Sequence, residues 1–357
     1  MSKQLRIWLF VLLGTLLTSS SLLAQGIITM TTSKRVGEEI QLIIKANGNV
    51  TIEGAQETGQ ANESGFKPYR LTSQTITIRG DVTELDCPFS ELTSLDVSKN
   101  TALEILYCSD NKLTSLDVSK NIALTELNCY GNQLPSLDVS KNIALKELYC
   151  GENQLTSLDV SKNTALTELY CSENQLTSLN VSKNTALTKL DCSWNQLTNL
   201  DVSKNTALTS LSCFDNQLTS LNVSKNRALT TLSCGGNQLT SLDLSKNTAL
   251  TELNCPDNQL TSLDVSKNTA LESLECSINQ LTSLNISGCA RLEDLYCFSN
   301  CINGEAMTKL VNSLPNRKGM SSGSLWVVSR FSKKGDKNRC SAADVTTAKK
   351  KNWEVQQ

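Results

Sequence analysis

From Leu92 to Cys301 the chain repeats itself every 21 residues, ten times in succession. That period constrains the fold more than any other feature. A unit this short with one apolar edge cannot bury that edge alone, so it must stack on copies of itself. In the unit at 155–175, leucines stand at Leu155, Leu158, Leu166 and Leu169, and Val160 and Cys171 complete the inward set. Two short alternating segments follow, Leu-Asp-Val and Leu-Tyr-Cys, whose outer residues point one way and whose middle residue points the other. An eleventh, partial unit begins at Leu85, Asp86 and Cys87. Stacked as parallel strands about 4.8 Å apart, eleven units make a rod or shallow arc on the order of 50 Å long. A length of 357 residues would otherwise suggest two or three globular domains.

Asparagine closes each unit, at Asn111, Asn132, Asn153, Asn174, Asn195, Asn216, Asn237, Asn258, Asn279 and Asn300. Its amide both donates and accepts, so it can satisfy the backbone of a tightly turning chain. These columns, in the form Leu-x-x-Leu-x-Leu/Cys-x-x-Asn, resemble the leucine-rich repeat family. The 21-residue period with a cysteine column is most similar to the internalin-like bacterial surface proteins. The resemblance covers about 210 residues. It implies a repeat solenoid, an arc of stacked parallel strands, and a role in host-cell or cell-to-cell attachment.

The cysteine column includes Cys108, Cys129, Cys150 and Cys171 and runs from Cys87 to Cys297. In-register neighbours hold Cβ atoms about 4.8 Å apart with parallel side chains, whereas a disulfide needs about 3.8 Å and converging ones. Thiols in a line cannot surround a tetrahedral metal ion. The column therefore reads as buried, small apolar groups. Three cysteines lie off it: Cys289, Cys301 and Cys340. In an exported protein a Cys301–Cys340 bridge would clamp the C-terminal end onto the solenoid.

Export is expected from the N-terminus. Lys3 and Arg6 precede an apolar run from Ile7 to Leu17, and Leu22, Leu23 and Ala24 before Gln25 form a cleavage site. The expected organisation is a signal peptide at 1–24, a β-rich N-terminal cap or small module at 25–81, the solenoid at 82–301 and an αβαβ C-terminal cap at 302–357. Within the N-terminal segment, residues 41–45, 50–52 and 74–78 read as strands. Beyond Cys301, residues 306–314 and 342–350 have helical character, with Asn303 and Ser341 as caps and Pro315 as a stop. Residues 324–328 and 353–355 read as strands.

Function must lie where the units differ. The Leu-Asp-Val-Ser-Lys-Asn half is nearly constant, while the positions around Leu-x-Cys vary, and five of six tyrosines fall there. Tyrosine and tryptophan bury large rigid area and keep a polar handle, which suits them to anchor a partner. The candidate partner site is Tyr130, Tyr149, Tyr170, Trp194 and Phe214, rimmed by Glu126, Glu147, Glu168 and Glu173. It lies on the face that is concave in the family, and its carboxylates favour a basic or hydroxyl-rich partner. A lysine column from Lys99 to Lys267 is balanced by aspartates three residues earlier, such as Asp96, Asp117, Asp138 and Asp159, and reads as a solvated face.

Composition narrows the function classes. There is no histidine, which removes Ser-His-Asp, Cys-His and His-containing zinc sites. A net charge of −2, from 33 basic and 35 acidic residues, gives no general attraction to nucleic acid or anionic membrane. Glu147 and Glu168 on adjacent strands approach the spacing of a retaining glycosidase pair, but nothing marks them among several equivalents. No cofactor and no enzyme activity are expected. The reading is a monomeric, secreted or surface-exposed adhesin that recognises a protein or glycan on a host or neighbouring cell, with no transmembrane segment after signal removal. A structural envelope or matrix protein is the alternative.

Overall fold

The computed structural model describes residues 26–329 and 336–356. The expected signal peptide at 1–24 lies outside these residues. Six strands precede the repeats: β1 (Ile27–Thr32), β2 (Glu39–Ala46), β3 (Thr51–Glu53), β4 (Ala55–Glu57), β5 (Lys67–Leu71) and β6 (Thr75–Arg79). The repeats open with β7 (Val82–Asp86) and β8 (Leu92–Asp96). Each later turn supplies one three-residue strand at Leu-x-Cys: β9 (Ile105–Tyr107), β10 (Glu126–Asn128), β11 (Glu147–Tyr149), β12 (Glu168–Tyr170), β13 (Lys189–Asp191), β14 (Ser210–Ser212), β15 (Thr231–Ser233), β16 (Glu252–Asn254), β18 (Ser273–Glu275) and β20 (Asp294–Tyr296). Two further strands, β17 (Ser262–Asp264) and β19 (Ser283–Asn285), form on the opposite side of the turns.

The Leu-x-Cys strands pair in parallel with a shift of one repeat, as in Glu126↔Glu147↔Glu168 and Leu127↔Leu148↔Leu169. Because the register is constant, each inward column is chemically uniform. Leu148, Leu169 and Leu190 stack under one another, and Cys129, Cys150 and Cys171 follow beside them, nearly all with no exposure. Each fully buried leucine contributes about 1.5–3 kcal/mol relative to exposure.

Two strand-forming segments per unit are expected from the sequence, but the Leu-Asp-Val side forms a ladder only at β17–β19, while β8 pairs antiparallel with β1. A turn follows at once on this side. The Asp138 carboxylate accepts from the Ser140 N–H at 2.8 Å, and Asn142 N–H donates back to Val139 O at 3.0 Å. The Val139 carbonyl is then taken by a side chain of the next turn, Asn163 Nδ2, at 2.9 Å, which also reaches Asn142 O at 2.9 Å. A second asparagine column, Asn100 to Asn268, thus bonds the turns on this side, and all nine members are fully buried. Cys289 replaces asparagine in the last turn and its Sγ donates to Val265 O at 3.3 Å.

At the N-terminal end β2 pairs antiparallel with β7, and β1 pairs with β8, so the six-strand segment is hydrogen-bonded to both sides of the first turn. Strands β1, β4 and β5 were not legible in the sequence. At the other end come α1 (Gly304–Ser313), β21 (Gly323–Trp326), α2 (Ala342–Lys350) and β22 (Trp353–Gln356). Both strands add in parallel beyond β20. Asn303 sits in N-cap conformation without a side-chain capping bond, its Nδ2 donating instead to Cys301 O at 3.0 Å, whereas Ser341 and Asp344 bond reciprocally as a capping box. Asn338 stands in for the next ladder asparagine: Nδ2 donates to Cys297 O at 2.8 Å and Val327 O at 2.7 Å, and Oδ1 accepts from Ile302 N–H at 2.7 Å. No helix among the described residues is long and apolar enough to cross a membrane.

Candidate binding face

Every Leu-x-Cys strand buries its leucine and turns the residues on either side outward, so these strands present two variable columns on one face. Glu126, Glu147, Glu168 and Lys189 form consecutive members of the first. Tyr107, Asn128, Tyr149, Tyr170 and Asp191 form consecutive members of the second. In-register carboxylates on adjacent strands repel unless something lies between them. The tyrosines provide it. Tyr149 Oη lies 2.9 Å from Glu147 Oε2 and 3.3 Å from Glu168 Oε2, and Tyr170 Oη lies 3.3 Å from the same Glu168 oxygen. Tyr107 donates to Glu126. Lys189 Nζ pairs with Glu168 Oε1 at 2.9 Å. Burial first, and the Glu147 carboxylate second, hold the Tyr149 hydroxyl well above the usual phenol range. The rings of Tyr149 and Tyr170 are stacked, 4.8 Å apart and 8° from parallel.

The other expected anchors stand just past the strands. Tyr130 lies across Gly151, where an added Cβ would sit 3.1 Å from its Cδ2. Burial, then a hydrogen bond to Glu152, push its hydroxyl up to about 12. Phe214 lies across Gly235 in the same way, 2.8 Å from the position of an added Cβ, with Pro256 on the other side. These two rings are half-buried along the ladder. Trp194 is 55% exposed and tilts against Phe214 with centroids 5.7 Å apart. Glu173, one turn before Trp194, is exposed. The structure thus brings the nine expected residues onto consecutive turns, as a tyrosine–carboxylate lattice on the strands and a Trp–Phe pair at their C-terminal edge.

Three features were missed in the sequence. Trp194 belongs to a column in left-handed conformation that also includes Asp110, Gly131, Glu152, Glu173, Asp215, Gly236, Asp257, Ile278 and Ser299, with φ between 48° and 64°. A bulky or β-branched side chain is costly there, so Trp194 and Ile278 carry local strain. Glycine at 131 and 236 was the available signal. A second aromatic cluster joins Tyr296, Phe298 and Trp326, with Trp326 at 6.3 Å and 5.1 Å from the other two. It depends on β21 lying beside β20, which spacing alone does not show. Ile122 and Ile143 are 62% and 63% exposed.

The ladder residues are placed by the same register. Asn153 Nδ2 donates to Cys129 O and Gly151 O, each at 3.0 Å, and its Oδ1 accepts from Leu134 N–H at 2.9 Å. Asn174 makes the equivalent set one turn on, from Cys150 O to Leu155 N–H. Cys108, Cys129, Cys150 and Cys171 are fully buried, and burial raises every one of these thiols, Cys129 to about 12. Cys301 follows Asn300 in the outward glutamine column, bonded through its N–H to Leu281 O at 2.8 Å. Cys340 is partly buried against the core, next to Arg339, whose N–H bonds Ile302 O at 3.0 Å. Among the described residues, no three His, Cys, Asp or Glu side chains are grouped to hold a metal ion.

A leucine-rich repeat family model, describing two copies of the repeat, matches residues 143–184. The functional domain of InlJ from Listeria monocytogenes, which includes a cysteine ladder, is 41% identical with a TM-score of 0.62, over 66% of this chain and 54% of that one. The chain therefore spans about half the length of that domain. InlF, an internalin of the same organism, shares the fold at 20% identity and TM-score 0.60, over 76% of this chain and 86% of that one. A leucine-rich repeat protein of Leptospira interrogans does so at 21% identity and TM-score 0.56, over 73% and 74%. No curated protein sequence matches.

Proposed function

Starting from a chain that is a leucine-rich repeat protein, internalin-like in its 21-residue cysteine-ladder turns, we propose that it is an exported binding protein that attaches to a protein or glycan outside the cell. One observation carries the reading. The constant columns are spent on the fold, while the variable columns gather aromatic rings and carboxylates on consecutive turns of one face. Leucine-rich repeat solenoids commonly mediate protein binding on such faces. The contact centre is Tyr130, Tyr149, Tyr170, Trp194 and Phe214, with Glu126, Glu147, Glu168 and Glu173 around it. The positively charged start and apolar run at 1–24 support export, to the medium or to the cell surface.

The test replaces anchors by residues that the same columns already hold. Tyr149→Ser and Tyr170→Ser copy Ser212 and Ser233, and Trp194→Asp copies Asp215. Fractionation of the native cell locates the protein, and labelled mature protein is then offered to cells and extracellular matrix. Attachment of wild type and its loss in the triple variant are expected. Equal attachment of the two would remove the face from the account.

A further inference from the structure

The fold sorts the charges of this chain into separate regions. The two outward columns of the Leu-x-Cys strands, from Glu84 to Tyr296, and the left-handed column beyond them hold fourteen carboxylates and one lysine. That lysine, Lys189, is engaged by Glu168 at 2.9 Å. The columns on either side add Glu104, Glu272 and Glu293 against Lys146, and a Glu91–Lys112 pair at 2.7 Å. Residues 302–357 are the reverse, with eleven basic and four acidic residues. Elsewhere the two signs are mixed. Residues 26–81 hold six of each, and the opposite side of the turns holds eleven cations and seven carboxylates along its whole length. A net charge of −2 conceals this separation.

Two cations hold the C-terminal cap together. Arg317 is buried against Glu293, and Lys351 Nζ donates to Asn312 O at 2.6 Å and Leu314 O at 2.8 Å at the end of α1. Among the described residues, Lys309, Lys318, Lys337, Arg339, Lys349 and Lys350 are exposed. Of the four carboxylates, Asp336 accepts from Ser299 N–H and Ser329 N–H, and Asp344 closes the capping box. Backbone bonds bring three of the lysines to one tip. Arg317 N–H donates to Lys351 O at 2.9 Å, and Asn352 Nδ2 donates to Arg317 O at 3.2 Å and Met320 O at 3.0 Å. Lys318 thus lies beside the end of α2, which carries Lys349 and Lys350. Met320 stands at this tip, 66% exposed, and Glu354 is joined to it through Ser322 Oγ at 2.7 Å.

We infer that this tip docks onto the acidic, aromatic strand face of a second copy of the chain. The inference rests on the binding-face reading and names its partner. Charge and surface character both match. Lysines meet a face with almost no cation of its own, and an exposed thioether meets exposed rings, a favourable contact for methionine sulfur. Two different patches are joined, so each copy keeps one free tip and one free face, and further copies can add in line.

The test is sedimentation of the mature protein over a concentration series. Wild type should exceed the mass of one chain in low salt and return to it in high salt. K318E/K349E/K350E should stay single, as should E126K/E147K/E168K, which copies Lys189 of the same column, each folded by circular dichroism. Mixed in equal amounts, the two should associate again, because both partners of the contact have changed sign. M320S should weaken association about tenfold, the loss of one buried apolar side chain. The inference is overturned if wild type is a single chain throughout, or if the mixture of folded variants stays apart. It is equally overturned if association persists in either charge variant or in the Tyr149, Tyr170 and Trp194 variant, or is unchanged in M320S. Wild type found single, with attachment to cells still lost in the Tyr149, Tyr170 and Trp194 variant, sinks the self-docking and leaves the face reading standing. Wild type found single, with attachment retained by that variant, sinks both.

Discussion

Asn174 ties three backbone segments together with one amide, donating to Cys150 O, Cys171 O and Ser172 O and accepting from Leu155 N–H. Asn174→Ala leaves buried donors and acceptors unpaired, and we expect a loss of about 2–4 kcal/mol in urea unfolding. A loss below about 0.5 kcal/mol, the range of surface substitutions, would contradict that role. Asp86 makes a pH-dependent case. Burial, then Glu84, raise its carboxyl from 3.8 to about 6. A folded-state value raised in this way gives stability that is complete below the unfolded value and lost as pH rises through about 6. Asp86→Asn should therefore stabilise at pH 7 by about 1 kcal/mol, after allowing for solvent screening of a half-exposed group, with no gain at pH 4. Thermal melts at both values check it, and a gain at pH 4 equal to that at pH 7 would refute the titration. At this scale the leucine, cysteine and first asparagine columns were legible because period alone fixes which side chains face inward. The left-handed column at Trp194 was not, because most of its occupants are not glycine.

Between one turn and the next, the elements differ in what holds them. The Leu-x-Cys strands are joined by backbone bonds, while the opposite side, apart from the β17–β19 pair, is joined through Asn100 to Asn268. The sequence showed the second asparagine column as constant but not as a ladder, since its role depends on which carbonyls of the preceding turns come within reach of its amide. Twelve cysteines are buried within these elements. With their thiols held up by burial, native protein should leave all twelve unreactive to a thiol reagent at neutral pH, and denaturant should release them. Recovery of disulfides among the ladder positions would contradict the packing. Cys301 stands in an outward column and Cys340 packs against the core; the bridge read from the sequence is tested by a peptide map under non-oxidising work-up, in which a Cys301–Cys340 linked peptide is expected. Recovery of both as free thiols would reject the clamp.

The molecule as a whole is a stack whose ends need cover. Strands β1 and β2 bond to β8 and β7 on the two sides of the first turn. Removal of residues 26–81 should expose that apolar end and its strand edge, giving aggregates by light scattering. A soluble, folded remainder would mark the segment as an independent module. Alternating strands at 41–45 and 74–78 were legible, but their antiparallel return onto the solenoid was not, because register across a loop leaves no mark in one strand. The candidate face was legible as variable columns, and its internal geometry, with tyrosine hydroxyls set between carboxylates, was not. The central claim is that variable columns bind and constant columns build. Its most direct measurement sets the Tyr149→Ser, Tyr170→Ser, Trp194→Asp variant beside Lys162→Ala, Lys183→Ala, Lys204→Ala, altered on the constant side. Attachment of each to cells and matrix is compared with wild type at matched thermal stability. The account predicts loss of attachment in the first and retention in the second; retention in the first with loss in the second would contradict it.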